Sequence, residues 1–436
     1  MMKTVSIATL GCKSNQYDSS AIEEAVRKAG FAVLPFPGVA GAYVINTCTV
    51  TARTDARSRG LVRMALKLNP DALVIVTGCF AEVSPDEAVS IEGVAYCLGN
   101  PQKDRVVDYL RMGRPSGGAG KAVGGPKGGA PLTIRSSGPV DRVRANLKIQ
   151  EGCNRACSYC IIPRARGASK SLPPEEVLAG ISGLADAGFG EVILTGIHIG
   201  GYGGDIGDAA SLPSLLREIE SRRPPCRVRL SSLDPDEVTD EVIGILGGAR
   251  VICNHAHIAL QSGDDAVLAG MRRPYTASSA AGRIRRLAEA VPDISIGVDV
   301  IAGFPGETEE GFENTLALLA ASPAAYLHVF PYSRRRGTAA AGYDGQIKPG
   351  LMKARCARLA AVGAAKRKAF LERFIGRTAS VLVEKTRDRR GFLTGRTRNY
   401  SRVRFPGGDD MIGKEAHVRL VGCEDNGMTG EVIGAE

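Results

Sequence analysis

No apolar run in this 436-residue chain approaches the roughly 18 residues that span a bilayer. No membrane-spanning helix is therefore expected. The apolar start, Val5 to Leu10, is too short for an export signal and reads as a buried strand. Without export, the eleven cysteines are not a secreted disulfide framework. A cytoplasmic, reducing location is expected, where cysteine serves metal or catalytic roles. A Walker phosphate loop is missing as well, because Gly303-Phe304-Pro305-Gly306-Glu307 lacks the Gly-Lys-Ser/Thr element. A fourth zinc ligand is also missing from the central cysteine loop. The next cysteine after Cys160 is Cys226 and the next histidine His198, whereas structural zinc normally takes four protein ligands.

That loop, Lys148-Ile149-Gln150-Glu151-Gly152-Cys153-Asn154-Arg155-Ala156-Cys157-Ser158-Tyr159-Cys160, organises the chain. Its C-x3-C-x2-C spacing follows an apolar strand-like run. Three thiolates close together suit a 4Fe-4S cluster, with one iron left open to a substrate or cofactor.

The length allows two or three domains, and 44% hydrophobic residues is ordinary for a globular chain. Charge is unevenly placed. From Pro331 onward there are 22 Lys+Arg against 11 Asp+Glu, while the remainder is nearly neutral, with 34 against 35. A basic segment on a neutral body points to a polyanion, most simply a nucleic acid; a solvated Arg-rich surface is the plain alternative.

In the first hundred residues one pattern recurs three times: an apolar strand ending in a polar turn with a cysteine. Val5–Gly11 ends at Cys12, Ala42–Thr47 at Cys48 and Leu73–Gly78 at Cys79, with helical patterns over Asp18–Ala29 and Ala52–Leu68 between. Alternating strands and helices predict a parallel sheet, and ligands of such sheets sit beyond the carboxyl strand ends. A second three-cysteine metal site is the reading; three ordinary buried cysteines is the competing one. Cys97 is read as a core residue.

Gly113 to Ala130, with eight glycines, is expected to be a flexible inter-domain linker. Strands are then expected at Leu147–Gln150, Glu191–Thr195, Arg227–Ser231, His257–Leu260, Ser295–Ile301 and Tyr326–Pro331, with helices including Pro174–Ala187, Leu212–Ser221 and Ala277–Ala290. Six βα units fit an incomplete parallel barrel, with chemistry at the C-terminal strand ends. Polar loops fall at that edge: Thr195–His198, Ser231–Pro235, Leu260–Gly263 and Asp299–Thr308. Together they resemble a cofactor pocket. His255 and His257 read as a strand-end pair with no metal role. Arg164 and Arg166 suit either an anionic ligand or a structural salt bridge. From Phe370 short alternating strands, Thr378–Glu384, Gly391–Arg398, Arg402–Phe405 and Glu415–Val421, predict a small antiparallel barrel. It carries Arg387, Arg389, Arg390, Arg396, Arg398, Arg402 and Arg404 with Phe392 and Tyr400, a composition that can grip phosphates and stack on bases.

The C-x3-C-x2-C loop with its aromatic Tyr159 resembles the radical S-adenosylmethionine (SAM) superfamily. Leu10-Gly11-Cys12, Asn46-Thr47-Cys48, Thr77-Gly78-Cys79 and Ile161-Ile162-Pro163-x-x-Arg166-Gly167 extend the resemblance, along nearly the whole chain, to the radical SAM methylthiotransferases. Lysine in Ser169-Lys170-Ser171 departs from the expected arginine. The resemblance implies an N-terminal methylthiotransferase domain (1–112), a Gly/Pro-rich linker (113–138), a radical SAM core (139–369) and an RNA-binding TRAM domain (370–436). It implies two 4Fe-4S clusters, one on Cys153, Cys157 and Cys160 that cleaves SAM and one on Cys12, Cys48 and Cys79 that carries the sulfur to be inserted. One SAM would methylate that sulfur, and a second would yield the radical that activates a C–H bond. The SAM pocket is expected to draw on Tyr159, Gly196, His198, Ser231, Gln261, Asp299 and Ile301. Thr47–Thr51 and His328–Thr338 look most like the branch that thiolates C2 of N6-threonylcarbamoyladenosine beside the tRNA anticodon. Isopentenyladenosine in tRNA, a ribosomal-protein aspartate, and a non-catalytic RNA-binding protein with structural metal are the alternatives. The implied partners are tRNA and an electron donor such as flavodoxin or ferredoxin.

Overall fold

The computed structural model describes residues 4–124, 132–133, 142–207, 210–424 and 427–435. The N-terminal strands are β1 (Thr4–Thr9), β2 (Ala32–Leu34), β3 (Ala42–Thr47), β4 (Leu73–Gly78), β5 (Val94–Leu98) and β6 (Gly120–Ala122). They form one parallel sheet in the order β2-β1-β3-β4-β5-β6. β3 and β4 are buried at every residue, as expected where helices cover both faces of a parallel sheet. Strand order reverses beside β1, so the crevice beyond β1 and β3 is a topological switch point. The helices α1 (Lys13–Lys28), α2 (Ala52–Leu68) and α3 (Cys79–Val83) leave from that edge. The expected linker is in part structural: Gly120 lies against the Tyr96 ring, where a Cβ would come within 2.7 Å. Residues 125–131 and 134–138 of it lie outside the described residues.

The central strands are β7 (Arg144–Lys148), β8 (Gln150–Glu151), β9 (Lys170–Ser171), β10 (Glu191–Thr195), β11 (Arg227–Leu230), β12 (Ser232–Leu233), β13 (His255–Gln261), β14 (Ser295–Ala302) and β15 (Tyr326–Pro331). Two parallel sheets, β11-β10-β7 and β12-β13-β14-β15, are joined by a bridge between Val228 and Ile252 into one open arc. The expected third strand breaks after Leu230, because Ser231 turns its N–H to Leu194 while Ser232 pairs with β13. Outward residues such as Leu147, Val192, Val228, Ile258 and Val298 make one apolar core with the helices. The alternate, inward residues are polar: Glu191, Arg229, His255, His257, Asp299 and Tyr326.

A closed five-stranded barrel, β16 (Thr378–Arg387), β17 (Leu393–Thr397), β18 (Arg402–Phe405), β19 (Glu415–Glu424) and β20 (Gly427–Ala435), follows in the order β16-β17-β18-β20-β19. Its fifth strand escapes the sequence pattern because glycine interrupts the alternation. Gly430 sits where a Cβ would lie 2.3 Å from Val418.

Candidate iron–sulfur and cofactor sites at the domain junction

The N-terminal cysteines leave equivalent strand ends, and the turns that carry them are stitched together. Asn15 Nδ2 donates to the carbonyls of Leu10 (2.7 Å) and Thr47 (2.8 Å). Asn46 Nδ2 reaches the Asn15 carbonyl at 2.9 Å, and Thr47 Oγ1 donates to the Thr77 carbonyl at 2.5 Å. Glycine is required before two of the cysteines. Gly11 has φ +102° and a Cβ there would come within 2.9 Å of the Cys48 sulfur; Gly78 has φ +96° and faces the Thr47 backbone at 2.4 Å. Burial pushes the Cys48 thiol up to about 11, and the neighbouring Cys79 and Cys12 sulfurs add to the shift. A thiolate here therefore needs a cation as partner, which the iron of a cluster provides. Three converging sulfurs in a cradle shaped by glycine fit such a group.

The second trio is held by the β8–β9 ladder. Gly152 (φ +72°) crosses Ala168 where a Cβ would meet its carbonyl at 2.0 Å, and Cys153 N–H donates to Gly167 O at 3.0 Å. Burial pushes Cys160 up to about 12, reinforced by Cys157 and Cys153. Two arginines lie against these sulfurs. Arg273 Nη1 donates to Cys157 Sγ at 3.2 Å and is paired with Asp234. Arg155 gives its backbone N–H to Cys153 Sγ at 3.4 Å and its guanidinium to Asp236 at 2.6 Å. Sulfur-directed donors of this kind orient cluster ligands and tune them.

The two trios are neighbours. The helix Ile162–Arg166 after Cys160 packs on α3, which starts at Cys79. Arg166 Nε donates to Cys79 Sγ at 3.3 Å, and its Nη1 binds Asp18 (3.0 Å) and Glu151 (2.9 Å). Lys103 and Lys148 complete this buried network. It holds Asp18 well below the usual carboxylate range: burial opposes ionisation, but the three cations outweigh it. Of the two roles open to Arg166, the salt bridge is realised; Arg164 is exposed beside Gly337. Arg335, after β15, binds Thr49 Oγ1 (2.5 Å) and Asp55 (2.6 Å) next to Cys48.

The expected SAM-pocket residues are distributed along the arc. Gly196 packs on Gln150, whose Oε1 accepts the N–H groups of Ile197 and His198. His198 sits with Glu237, Asp234 and Arg155 beside Cys153. Burial would lower its pKa, but hydrogen bonds with Cys153 and Glu237 outweigh that and raise it to about 10. Ser231 is buried at the β11 end, and Gln261 ends β13 at φ +70°. Tyr159 and Ile301 join an apolar cluster with Phe304, Tyr332 and Met352. Asp299 lies lower in the arc, bound to His257 (2.7 Å) and His328 (3.4 Å). Sequence reasoning missed Arg273, Arg155, Glu237 and Arg335. No spacing marks them, although the Asp234-Pro235 cap after β12 points at the acidic pair.

The basic barrel is less free than its composition implies. Tyr400, at φ +68°, plugs the N-terminal mouth of the arc, with Arg229 4.6 Å, Arg396 4.7 Å and Arg144 5.7 Å from its ring centroid. Arg398 donates to the carbonyls of Arg250 and Ile252, Arg387 to Gly391 and Gly407, and Arg404 pairs with Glu424. Tyr400, Arg396 and Arg398 are spent on docking against the arc, whereas Arg387, Arg389, Arg390 and Arg402 are exposed.

Comparisons agree with this geometry. Residues 147–319 match the Radical SAM superfamily, 4–99 the Uncharacterized protein family UPF0004 and 372–433 the TRAM domain. The solved radical SAM methyltransferase TsrM from Kitasatospora setae shares the fold, with a TM-score of 0.55 at 18% identity over 77% of this chain and 76% of that one. An open arc with a three-cysteine loop at its first strand end, supported by these matches, defines a radical SAM enzyme. "Threonylcarbamoyladenosine tRNA methylthiotransferase MtaB" of Bacillus subtilis is 40% identical over 96% of this chain and 94% of its own length. The protein of the same name from Thermotoga maritima is 35% identical over 98% and 96%. The "tRNA-2-methylthio-N(6)-dimethylallyladenosine synthase" of Desulfitobacterium hafniense is 30% identical over 98% and 97%. Within the radical SAM class, the chain belongs to the methylthiotransferase family, on its MtaB-like branch. No described helix is long and apolar enough to cross a membrane.

Proposed function

We propose that this enzyme inserts a methylthio group at C2 of N6-threonylcarbamoyladenosine in tRNA, beside the anticodon. The observation that carries the reading is the abutment of two cysteine trios through Arg166, in a chain similar over its whole length to enzymes named for that reaction. As a member of its family the enzyme takes two 4Fe-4S clusters and SAM. Cys153, Cys157 and Cys160 would hold one cluster, and Cys12, Cys48 and Cys79 the other. Bound there, they supply the electron that breaks a sulfonium bond and the sulfur that is inserted.

The chain's own residues do the rest. Arg166 and Arg335 lock the N-terminal sheet to the arc, so the two trios stay side by side. Arg273 places positive charge against the sulfur of Cys157, and the Arg155 backbone N–H donates to that of Cys153. The apolar wall of Tyr159, Ile301 and Phe304 excludes water from the edge where a radical would be quenched. Exposed Arg389, Arg390 and Arg402 suit the tRNA backbone, and a cytoplasmic location follows from that substrate. A small iron–sulfur or flavin carrier is the expected electron source.

Mass spectrometry of nucleosides from total tRNA, with and without the gene, tests the reading. The methylthio form of threonylcarbamoyladenosine should vanish and its unthiolated precursor accumulate. Loss from the isopentenyladenosine derivative instead would overturn the substrate, and no change in any tRNA nucleoside would turn attention to ribosomal proteins.

A further inference from the structure

The arc is open between β7 and β15, and its two rims differ. On the β7 rim, α1 covers the edge: Gln16 meets Asn146 at 3.4 Å, and Asp18 binds Lys148. On the β15 rim the helix Pro349–Glu372 packs against the strand but leaves part of it exposed. Its lumen-facing row is Tyr326, His328 and Phe330, and the last two are about half exposed, at 53% and 43%. Above the rim, Arg335 ties the following loop to Thr49 and Asp55 beside Cys48. The gap therefore opens at the junction of the two cysteine trios.

Inside it runs a continuous polar chain. Tyr326 lies flat on Gly297, where a Cβ would meet its ring at 2.2 Å, so its hydroxyl reaches His255 Nε2 (2.9 Å) and His257 Nδ1 (3.3 Å). His257 Nε2 contacts Asp299 at 2.7 Å, and His328 Nδ1 contacts the same oxygen at 3.4 Å. Lys13, next to Cys12, lies within electrostatic reach of His255, Tyr400, Arg229 and Glu191, which line this lumen. Its ammonium makes no hydrogen bond or ion pair with any described residue, since Glu191 is already held by both arms of Arg229. His255, 3% exposed, leaves its Nδ1 without a partner. An uncommitted cation, an orphaned buried nitrogen and a half-exposed imidazole thus fall in one polar lumen.

Resting on the reading above, we infer that Lys13, His257, Asp299 and His328 form the seat for the amino-acid substituent of the substrate base. The ammonium and the His328 imidazole receive its carboxylate, and Asp299 accepts from its hydroxyl. A threonylcarbamoyl group carries both functions, and a dimethylallyl group carries neither. An apolar substituent would leave Lys13 and Asp299 facing hydrocarbon, which buried charges strongly disfavour. A site built to pair polar groups rejects analogues that lack them far more sharply than an apolar pocket rejects small size changes. This slot would therefore set which modified adenosine the enzyme accepts.

The test is binding of anticodon stem-loop RNAs to the reconstituted holoenzyme, read by fluorescence anisotropy. Three RNAs carry threonylcarbamoyladenosine, its carboxylate methyl ester, or plain adenosine. The wild type is expected to prefer the free acid to the ester by roughly tenfold or more, the scale of a charge-assisted hydrogen bond. Lys13→Met and His328→Phe should each collapse that ratio toward one, with iron content and melting temperature matched to wild type. His328→Asn, smaller and polar, should restore part of it. A ratio that survives in both variants, or acid and ester bound alike by the wild type, overturns the inference. So does a stoichiometric non-iron metal that His328→Phe removes. Product formation with these RNAs and with a fourth that carries dimethylallyladenosine separates the two claims. Thiolation of the threonylcarbamoyl RNA without acid–ester discrimination sinks the seat alone, whereas thiolation only of a dimethylallyl RNA sinks the proposed substrate and the seat with it.

Discussion

Arg166 lies six positions past Cys160 in the chain, yet its Nε is 3.3 Å from the sulfur of Cys79, 87 positions away. Single residues of this kind divide the labour between the two trios, and replacing cysteines from each should separate the steps. Cys157→Ala is expected to abolish SAM cleavage, with no 5′-deoxyadenosine detected by chromatography. Cys48→Ala should still cleave SAM without thiolating RNA, because it leaves the central trio intact. Retained SAM cleavage in Cys157→Ala would refute the assignment. At Asp299, burial opposes ionisation but hydrogen bonds from His257 and His328 outweigh it and hold the carboxyl at about 2. The folded pKa is below the unfolded one near 3.9, so the stabilisation is full above about pH 4 and is lost as pH falls toward 2. It amounts to about 2–3 kcal/mol. Asp299→Asn should be less stable than wild type at pH 7, and the gap should narrow near pH 3; urea midpoints at the two pH values check this.

Elements explain why composition misled at the C-terminus. The turn Arg396–Arg402 reads as an RNA-gripping stretch, but Tyr400 and Arg398 are docked into the arc. Arg398→Ala should cost about 1–3 kcal/mol, the usual penalty for orphaned buried carbonyls, and should change tRNA affinity little. The double change Arg389→Ala and Arg390→Ala should leave stability alone, weaken tRNA binding and reduce the slope of log affinity against log salt by about one to two. Thermal melts and salt-dependent filter binding distinguish the two outcomes. The same lesson applies to β6. Glycine-rich sequence reads as flexible, but Gly120 is a strand residue because the Tyr96 ring fills the space a side chain would need. It applies again to β20, where three glycines hide a barrel strand.

At the scale of the whole molecule, the C-terminal barrel is a structural lid as well as an RNA module. Its core includes Phe370 of the helix Pro349–Glu372 and Phe374 just after it, and Arg227 and Arg229 of the arc end on its backbone carbonyls. Ending the chain before Phe370 would uncover Arg229 and Glu191, both fully buried in the intact protein. The truncated protein is therefore expected to melt at a lower temperature and to aggregate; a clean loss of RNA affinity with an unchanged melt would show that the lid role is wrong.

Local chemistry was legible from the sequence alone. Cysteine spacing, the Gly-Cys turns and the alternation of apolar runs with helices depend only on neighbours in the chain, and they yielded the parallel sheet, the arc and both trios. Contacts between distant segments were not legible. That Arg166 serves Cys79, that Arg273 guards Cys157, that Tyr400 plugs a barrel 145 positions earlier at His255, and that Lys13 stands unpaired near His255 all depend on how three separate cores dock. Such docking is set by burial and charge pairing across the junction, and no local period in the sequence encodes it.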